Sequence, residues 1–380
     1  MRRVAISTIE LPFLLSNYGS FLQHYALRVV LKRMGFEPFR LCHESEVNTL
    51  KGFGVQSIRD ICRSLIRSVR GGTNVFRKCR GSFRRLGLKS EFIRNYVRLI
   101  GPIVECQKFD AQTIGVMGGD QVFWRRDARS WLEGISKGMP RIAFAASTDW
   151  RRMSSDESWK TDARRYLQGF TRVGLRELAG CELCRDLVPA DIEVCRVSDP
   201  VLLLDADEWK LVSSEKPVFN NPTLLCYLVN IHSLDDFPLS SYEQLAASLG
   251  CDLKIVGIQG AEDYIPSRYY LNLSPQEFLR AFFDARHVIT NSFHGSLLAV
   301  VLQKSFLSIQ QHSRGLAHMN DRQRELMERF GLDAHWIVPD ADFKHLRGCL
   351  AQPMDLEAVR KLAVRFREES TTWLEESLHG

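Results

Sequence analysis

Short apolar runs alternate with amphipathic segments along most of this sequence, and the alternation limits the possible folds more than any other feature. Runs such as RVAISTI, TIGVMGG and RIAFAAS are short, apolar and bounded by polar or small residues, which is the pattern of buried strands. Segments such as FLQHYALRVVLKRMG and SPQEFLRAFFDA repeat apolar residues at the spacing of one helix face. Strands that alternate with helices predict a parallel sheet with helices packed against it.

The alternation occurs twice, on either side of a polar stretch at 205–222 that contains two prolines. The chain of 380 residues is also longer than one ordinary domain of about 100–200 residues. We therefore expect an α/β protein with two Rossmann-like doubly wound domains that face a central cleft. The predicted domains are residues 1–207, which include a basic helical segment at 56–100, and residues 208–350, followed by a C-terminal helix at 351–380 that packs back across both.

Positive charge is concentrated between Arg59 and Arg98, where twelve Lys and Arg residues stand against two acids. Arg59, Arg63, Arg67 and Arg70 recur at helical spacing among apolar residues. Two interpretations stay open. The segment is either the solvated face of an ordinary amphipathic helix, or a patch for an anionic membrane surface or a polyanionic substrate. Nucleic acid is not an expected partner, because no recognised nucleic-acid-binding motif accompanies the patch.

Cysteine usage and hydropathy predict a cytoplasmic protein without a metal site. The ten cysteines are scattered, and only Cys181 and Cys184 form a CxxC pair, with no second Cys or His pair at comparable spacing. Reduced thiols are therefore expected. The apolar run after Met1 is interrupted by polar residues and Pro12, so it reads as a first strand and not as a signal peptide. No run has the roughly 18 apolar residues that a membrane span requires.

Ligands of parallel sheets bind at the carboxyl ends of the strands, so the strand-to-helix junctions are the candidate sites. The junction TNSFHGS has the composition of an anion site. Asn291 and Ser292 can cap the following helix, Gly295 allows close backbone approach, and the first helical turn presents free N–H groups. His294 could then donate to a phosphate or move a proton. The alternative is a capped helix whose histidine only bonds a neighbouring loop.

Three further junctions carry polar groups. SNYGS has the form of a phosphate- or sugar-binding loop, but it lacks the G-x-G-x-x-G of dinucleotide sites. In GGDQ, Asp120 is either a general base or sugar ligand, or an ordinary turn and capping residue. In GLRE, Arg176 either holds a carboxylate or phosphate, or pairs with Glu177 at the surface. These signals predict a two-domain enzyme or binder of an anionic small molecule, without naming a reaction.

Taken in order, the junctions resemble the polysaccharide pyruvyl transferase family over most of the chain. NYGSFLQHYAL is similar to its N-Y-G-x-x-L-Q-x-Y-A-L, and VMGGDQVFW to its G-S-D-Q-x-W, with Gly119 in place of the usual Ser. RIAFAAS is similar to its Y-A-A-S strand, VGLRE to its S-x-R-E, and VSDPVLLLDADEW to its D-P-x-L-L-x-x-x-x-W. The block around TNSFHGSLLAVVLQKSF resembles its T-D-S-F-H-G block, which is the most specific of all.

The resemblance implies a GT-B-like architecture and a transferase that moves a pyruvyl group from phosphoenolpyruvate to a sugar. Two free hydroxyls of the sugar would form a ketal on a bacterial surface polysaccharide or on its lipid-linked precursor. The enzyme would then be cytoplasmic and peripheral on the inner face of the plasma membrane, with Arg59–Arg70 against anionic lipid. Phosphoenolpyruvate would be a co-substrate, and no cofactor and no metal are expected.

The same resemblance implies roles for individual residues. His294 and Asp120 are expected to be catalytic. The donor is expected to bind to Arg176, Ser292, Gly295, Ser296, Arg314 and Arg322. The acceptor is expected to bind to Asn17, Gly19, Gln23, Gly118, Gly119 and Gln121.

One departure from the family bears on the donor. Part of the family carries Arg immediately before His-Gly, and this chain has Phe293 there. A donor-binding guanidinium must therefore come from elsewhere in the chain, or the donor differs. The alternative functions are a GT-B-type glycosyltransferase that uses a nucleotide-sugar, and a non-catalytic glycan-binding subunit.

Overall fold

The computed structural model describes residues 1–8, 17–41, 99, 103–104, 109–231, 233–257, 264–312 and 317–379. They form two parallel sheets with helices, so the predicted α/β class with two Rossmann-like domains is confirmed. The predicted basic segment at 56–100 lies, apart from residue 99, outside the described residues, and so does Arg314.

Within the described residues, the first sheet has seven parallel strands in the order β3-β2-β1-β4-β5-β6-β7. They are β1 (Arg3–Ser7), β2 (Glu37–Leu41), β3 (Ile103–Val104), β4 (Ile114–Gly118), β5 (Arg141–Ala146), β6 (Arg172–Leu175) and β7 (Glu193–Arg196). The chain first builds outward from β1 to β3 and then returns to the other side of β1. The strand order therefore reverses between β1 and β4, which makes a crevice at their carboxyl ends.

The second sheet repeats this plan with six parallel strands in its described part, in the order β10-β9-β8-β11-β12-β13. They are β8 (Thr223–Leu228), β9 (Asp252–Gly257), β10 (Tyr270–Leu271), β11 (His287–Thr290), β12 (Ser305–Ile309) and β13 (Trp336–Ile337). Here the order reverses between β8 and β11.

Helices connect the strands and cover the sheets. The described α-helices are α1 (Tyr18–Arg33), α2 (Trp150–Ser155), α3 (Glu157–Leu167), α4 (Leu178–Arg185), α5 (Ala206–Val212), α6 (Leu239–Ser248), α7 (Pro275–Asp284), α8 (Phe293–Val301), α9 (Ala317–Arg329), α10 (Phe343–Leu350) and α11 (Leu356–His379). The capping box predicted for α7 is confirmed, because Ser274 accepts from the N–H of Glu277 and the Glu277 carboxylate accepts from the N–H of Ser274.

Each sheet separates two layers of apolar side chains, because successive residues of a strand point to opposite faces. In β1, Val4 and Ile6 join a core that also takes Leu225 and Tyr227 of β8, so this layer is shared by both domains. Ala5 faces a separate outer core of the first domain. Burying one continuous apolar layer between the domains favours a fixed domain arrangement.

The polar stretch at 205–222 contains a helix, α5, that the sequence analysis did not predict. Its start carries a capping box, in which Asp205 and Glu208 each accept a hydrogen bond from the other's backbone N–H. Trp209 is fully buried and its indole N–H donates to the Val201 carbonyl at 3.2 Å. A single buried tryptophan thus anchors a segment whose composition otherwise resembles a loop.

The last helix, α11, contacts both domains. On the first, the Ser370 hydroxyl accepts from the N–H of Ser198 at 2.8 Å, and Arg367 donates to the Leu202 carbonyl at 2.9 Å. On the second, Phe366 packs edge-on against Phe330 of the chain after α9, with ring centroids 5.5 Å apart.

Candidate active site

Candidate residues from both domains lie at the two places where strand order reverses. Gly118 ends β4 and Gly119 and Asp120 follow it, and Asn17 precedes the first turn of α1, the helix that comes after β1 in the chain. Ser292 and His294 follow β11 in the second domain. The sequence predicted these junctions as sites because ligands of doubly wound sheets bind at such crevices.

The two glycines at the β1/β4 crevice permit close approaches that no other residue allows. A Cβ at Gly19, on the first turn of α1, would clash with the imidazole of His294 from the other domain. Gly119 has a φ of 69°, and a Cβ there would clash with the amide oxygen of Gln23. Asp120 follows with a φ of 59°, a left-handed conformation that Asp tolerates better than most residues.

Helix α8 brings His294 to this crevice. Ser292 caps the helix, and its hydroxyl accepts from the N–H of Gly295 at 3.3 Å. Every residue from Phe293 to Val301 is buried, as in a central helix packed on all sides. The predicted cap is therefore Ser292 and not Asn291, whose side chain instead bonds both backbone groups of Val229, at 2.7 and 2.9 Å.

His294 meets Asp199, which follows β7 in the first domain. The imidazole Nε2 lies 3.5 Å from the Asp199 carboxylate. The other oxygen of Asp199 accepts from the N–H of Val201 at 3.0 Å, which fixes the carboxylate. Burial alone would favour the neutral acid, but His294 and Arg176 reverse this and hold the pKa of Asp199 well below its usual range.

Arg176 lies at the centre of three carboxylates. Its guanidinium donates to Asp199 at 2.7 Å and to Glu177 at 3.2 Å, and it lies 3.7 Å from Asp120. Burial opposes the charged form of this side chain, but the three acids outweigh it and raise the pKa of Arg176. The alternative of a surface ion pair between Arg176 and Glu177 is wrong, because both residues are only 4% exposed.

Asp120 lies near Arg176 and also accepts a hydrogen bond from a guanidinium of the second domain. Arg322 of α9 donates to Asp120 at 3.4 Å. Burial favours the neutral acid here as well, but His294, Arg322 and Arg176 keep the pKa of Asp120 below its usual value. We call Asp120, Arg176, Glu177, Asp199, His294 and Arg322 the buried polar cluster.

Phe293 lies close to both guanidinium groups of this cluster. The Cζ atoms of Arg176 and Arg322 lie 4.4 and 5.8 Å from the centre of its ring. The guanidinium that part of the resembled family carries at this position is thus absent. Two guanidinium groups from other segments lie near the Phe293 ring instead. This chain therefore keeps cationic groups at the start of α8 despite Phe293.

Several other predicted residues lie nearby but are already engaged. Gln23 is fully buried and donates to the Thr8 hydroxyl at 2.8 Å, and Gly118 packs against the Phe144 carbonyl. Asn17 caps α1 by accepting from the N–H of Ser20 at 3.1 Å, and Gln121 contacts the Met319 sulfur at 3.5 Å.

Gly295 and Ser296 of α8 were expected to contact the donor, and the structure shows both in contact with the second domain. The close approach at Gly295 is to its own sheet, because a Cβ there would clash with Thr290 and Tyr227. Ser296 points into the second domain, where its hydroxyl bonds Ser308 at 2.9 Å and accepts from Gln323 at 3.2 Å. Both residues hold α8 in place, and direct donor contact through them stays a prediction.

The sequence analysis missed Asp199 and Glu177 as site residues. Asp199 stands in the D-P motif of the family resemblance without an assigned role, although a polar residue after a parallel strand is a site signal like the others. Glu177 joins the cluster because its carboxylate also accepts from Ser147 and from the Trp150 indole, each at 2.9 Å.

The remaining expectations for the described part of the chain concern cysteines, metal sites and membrane-spanning helices. Cys181 and Cys184 are buried and unbridged, and burial raises the pKa of Cys181 to about 11. Across the described ranges, no group of three or more His, Cys, Asp or Glu side chains is arranged to hold a metal ion. Of the helices in those ranges, none combines the length and apolarity needed to cross a bilayer.

Comparison with known families gives one match that covers most of the chain. The family model described as polysaccharide pyruvyl transferase matches residues 17–313. This range contains the buried polar cluster except for Arg322. No curated protein sequence matches the chain significantly.

Solved structures with similar folds are epimerases and glycosyltransferases. UDP-GlcNAc 2-epimerase from Neisseria meningitidis, bound to UDP-GlcNAc, aligns with a TM-score of 0.51 at 11% identity, over 100% of this chain and 99% of that one. The corresponding epimerase from Methanocaldococcus jannaschii gives 0.48 at 10% identity, covering 96% and 99%. The calicheamicin glycosyltransferase CalG4 gives 0.46 at 11% identity, covering 100% and 98%. At this identity the likeness concerns the fold, which is GT-B-like.

Proposed function

The chain belongs to the polysaccharide pyruvyl transferase family, and from this premise we propose that it transfers a pyruvyl group from phosphoenolpyruvate to a sugar. The sugar belongs to a bacterial surface polysaccharide or its lipid-linked precursor, and the product is a pyruvate ketal. The observation that carries the proposal is the buried polar cluster. A histidine, two guanidinium groups and an ionised carboxylate converge there from both domains.

The reaction has defined charge and proton requirements. Phosphoenolpyruvate must gain a proton at its methylene carbon while a sugar hydroxyl forms a bond to the central carbon. The C–O bond to phosphate then breaks, and a second hydroxyl forms the ketal. The first hydroxyl proton balances the new methyl group, and the second leaves with inorganic phosphate. Such a reaction needs cationic groups for the donor, a proton donor and a proton acceptor.

In this proposal Arg322 and the N-terminal turn of α8 at Ser292 hold the anionic groups of phosphoenolpyruvate. Arg322 is the better candidate of the two arginines, because burial lowers its pKa and only one carboxylate pairs with it, whereas Arg176 is held by three. An anionic donor would complete the pairing of Arg322, whose guanidinium stays charged in a protein. Arg176 would then act mainly by holding Asp199 and Asp120 in place.

Asp120 and His294 would carry out different proton transfers, Asp120 as the acceptor and His294 as the donor. Asp120 has a pKa below its usual value, so it is ionised near neutral pH and can accept the proton of a sugar hydroxyl. It is then unsuited to protonate the donor. His294, fixed by Asp199 and by the close approach of Gly19, would deliver the proton to the methylene carbon.

The proposal is tested with the purified full-length chain, phosphoenolpyruvate labelled with ¹³C at the methylene carbon, and candidate lipid-linked saccharides. We expect the vinyl carbon signal to convert into a ketal methyl signal, with one inorganic phosphate released for each. His294→Ala should lower turnover by at least about 100-fold, the range for loss of a general acid. The matched control is His345→Ala on the exposed face of α10, which should keep full turnover.

Other outcomes assign the chain to the alternative functions. Turnover of a nucleotide-sugar in place of phosphoenolpyruvate would indicate a glycosyltransferase. Glycan binding that survives His294→Ala, without any turnover by the parent chain, would indicate a non-catalytic subunit. Association of Arg59–Arg70 with the membrane is tested separately by flotation with vesicles of anionic and of neutral lipid, and equal absence from both would contradict that part.

A further inference from the structure

A large cavity opens beside the buried polar cluster, between α2 and α4 of the first domain and α9 of the second. Its volume is about 660 Å³, within the range of about 300–1,000 Å³ that is typical of small-molecule sites. Glu177 and Arg322 line it and also belong to the cluster. An ion pair of 2.6 Å between Arg151 and Asp321 joins the two domains at its wall. We call this cavity the side groove.

The side groove has the opposite charge character to the arginine pair around Phe293. Seven carboxylates and three guanidinium groups are found among its lining residues. A cleft lined by one sign of charge repels ligands of the same sign. Phosphoenolpyruvate carries a carboxylate and a phosphate, so the side groove is unsuited to the donor and suits a ligand that is neutral or positively charged.

Unpaired polar atoms in the lining indicate that a hydrogen-bonding ligand belongs there. Thr148 is only 4% exposed and lines the groove, yet its hydroxyl has no hydrogen-bond partner in the described part of the chain. The same holds for the Nε–H of Arg322, a residue 7% exposed. Buried polar atoms are nearly always paired, so the Thr148 hydroxyl requires a partner from the groove, and the Nε–H of Arg322 requires one at the inner end, where the donor binds.

The groove also offers free acceptors and an apolar wall. Glu182 and Asp186 are exposed, and neither forms an ion pair within the described residues. Leu178, at the start of α4, is 50% exposed although it is apolar, and it lines the same groove. Hydroxyl partners beside an apolar surface are the combination that a sugar ring requires, because its hydroxyls hydrogen-bond and its C–H face packs.

Four of the six predicted acceptor residues, Gly19, Gln23, Gly118 and Gly119, are buried and offer no surface comparable to the side groove. Gly19 and Gln23 are buried, the first against His294 and the second against Gly119. They support the cluster from behind. An acceptor must instead reach Asp120 from an open side, and the side groove shares Arg322 with Asp120 through their 3.4 Å contact.

We propose that the side groove binds the acceptor, and that it selects a neutral or amino sugar and excludes a uronic acid. This inference rests on the proposed function, because it assigns the sugar side of that reaction. Thr148 contacts the sugar hydroxyl nearest to the cluster, whereas Glu182 and Asp186 contact the outer part of the sugar. Arg322, at the inner end of the groove, stays with the donor.

The first test uses methyl glycosides of glucose, galactose and mannose, their 2-amino forms and their uronic acids, at millimolar concentration with the full-length chain. Saturation-transfer NMR should detect binding of at least one neutral or amino glycoside, and no binding of the matching uronic acid. Equal binding of a uronic acid and its neutral counterpart, or no binding of any glycoside, would overturn the inference.

Variants then locate the binding. Thr148→Val keeps the side-chain shape and removes the hydroxyl, so it should weaken the glycoside that binds best by about fivefold, the value of one hydrogen bond to a neutral group. The double variant Glu182→Gln, Asp186→Asn should allow the matching uronic acid to bind, because two negative charges are removed. The matched control, Glu368→Gln on α11 outside the groove, should change neither. Unchanged glycoside affinity in Thr148→Val would contradict the assignment.

Donor binding is measured separately by calorimetry with phosphoenolpyruvate. Thr148→Val should leave this affinity within about twofold, since it touches only the acceptor. Suppose the glycosides bind as predicted and respond to the groove variants, but phosphoenolpyruvate neither binds nor releases phosphate. The side groove is then supported as a sugar site, and the proposed function is contradicted. If phosphoenolpyruvate is turned over but glycoside affinity is the same in the groove variants as in the parent chain, the proposed function is supported and this inference is contradicted.

Discussion

The two arginines close to Phe293 belong to regions with contrasting electrostatics. Around Arg176, in the first domain, three carboxylates lie within 4 Å and raise its pKa. Around Arg322, in the second domain, one carboxylate is paired at 3.4 Å, Nε has no partner among the described residues, and burial lowers its pKa. The difference teaches that similar residues in one cluster can have separate duties. The paired region holds the site together, and the under-paired region remains able to bind an anion.

The largest expected effect breaks the paired region. Arg176→Leu leaves Asp199 and Glu177 buried without their shared cation, and losing one partner of a buried ion pair costs about 3–5 kcal/mol. We expect the free energy of unfolding in urea to fall by that amount. The matched variant Arg322→Leu should lose less than about half as much. Equal destabilisation by the two would remove the contrast on which this account is built.

The second effect concerns activity. Arg322→Leu should lower kcat/KM for phosphoenolpyruvate by about 100- to 1,000-fold, the usual result of removing one charge-stabilising donor from an active site. Circular dichroism should match that of the parent chain, and the unfolding midpoint should fall by less than half of the shift seen in Arg176→Leu. A variant with full activity would show that the anionic donor binds elsewhere.

A third effect sharpens the position of His294. Gly19→Ala places a methyl group against the imidazole, and such overpacking costs about 1–3 kcal/mol. Displacement of the ring from Asp199 should reduce kcat more than it changes the KM for phosphoenolpyruvate. Gly348→Ala in α10 is the matched control, since a Cβ there meets nothing within 4 Å. Full kcat in Gly19→Ala would mean that the close approach is unimportant.

The smallest effect is the acid sensitivity of the paired region. The folded-state pKa of Asp199 lies well below its unfolded value of about 3.9, so its contribution to stability is complete above that value and is lost as the pH falls through the folded pKa. The stability difference between the parent chain and Asp199→Asn should therefore be constant from about pH 5 to 7 and shrink below about pH 4. A difference that grows on acidification would contradict the assigned ionisation.

The fold and the location of the site could be predicted because they depend on local patterns. Buried strands such as β4 and β11 are apolar and short, and polar residues after them fall at the open edge of a parallel sheet. His294, Asp120 and Arg176 were found in this way, whereas Arg322 was expected from the family resemblance alone. All four lie in the buried polar cluster.

The partners of these residues could not be predicted, because they depend on which distant segments meet. Arg176 and Asp199 follow different strands, and only the pairing of β6 with β7 brings them together. Asp205 and Trp209 fix α5 in a stretch whose composition favours a loop. The charge contrast between Arg176 and Arg322 likewise arises from tertiary packing, which sequence spacing does not encode.

The most direct test of the central claim is the affinity for phosphoenolpyruvate, measured by calorimetry on Arg322→Leu and on its neighbour variant Arg324→Leu. Arg324 lies on the same helix, but it is exposed and pairs with Asp321 and Glu328. We predict that Arg322→Leu weakens binding by at least about tenfold, equivalent to about 1.4 kcal/mol, whereas Arg324→Leu changes it by less than about twofold. Equal affinities of the two variants would contradict the assignment of Arg322 to the donor.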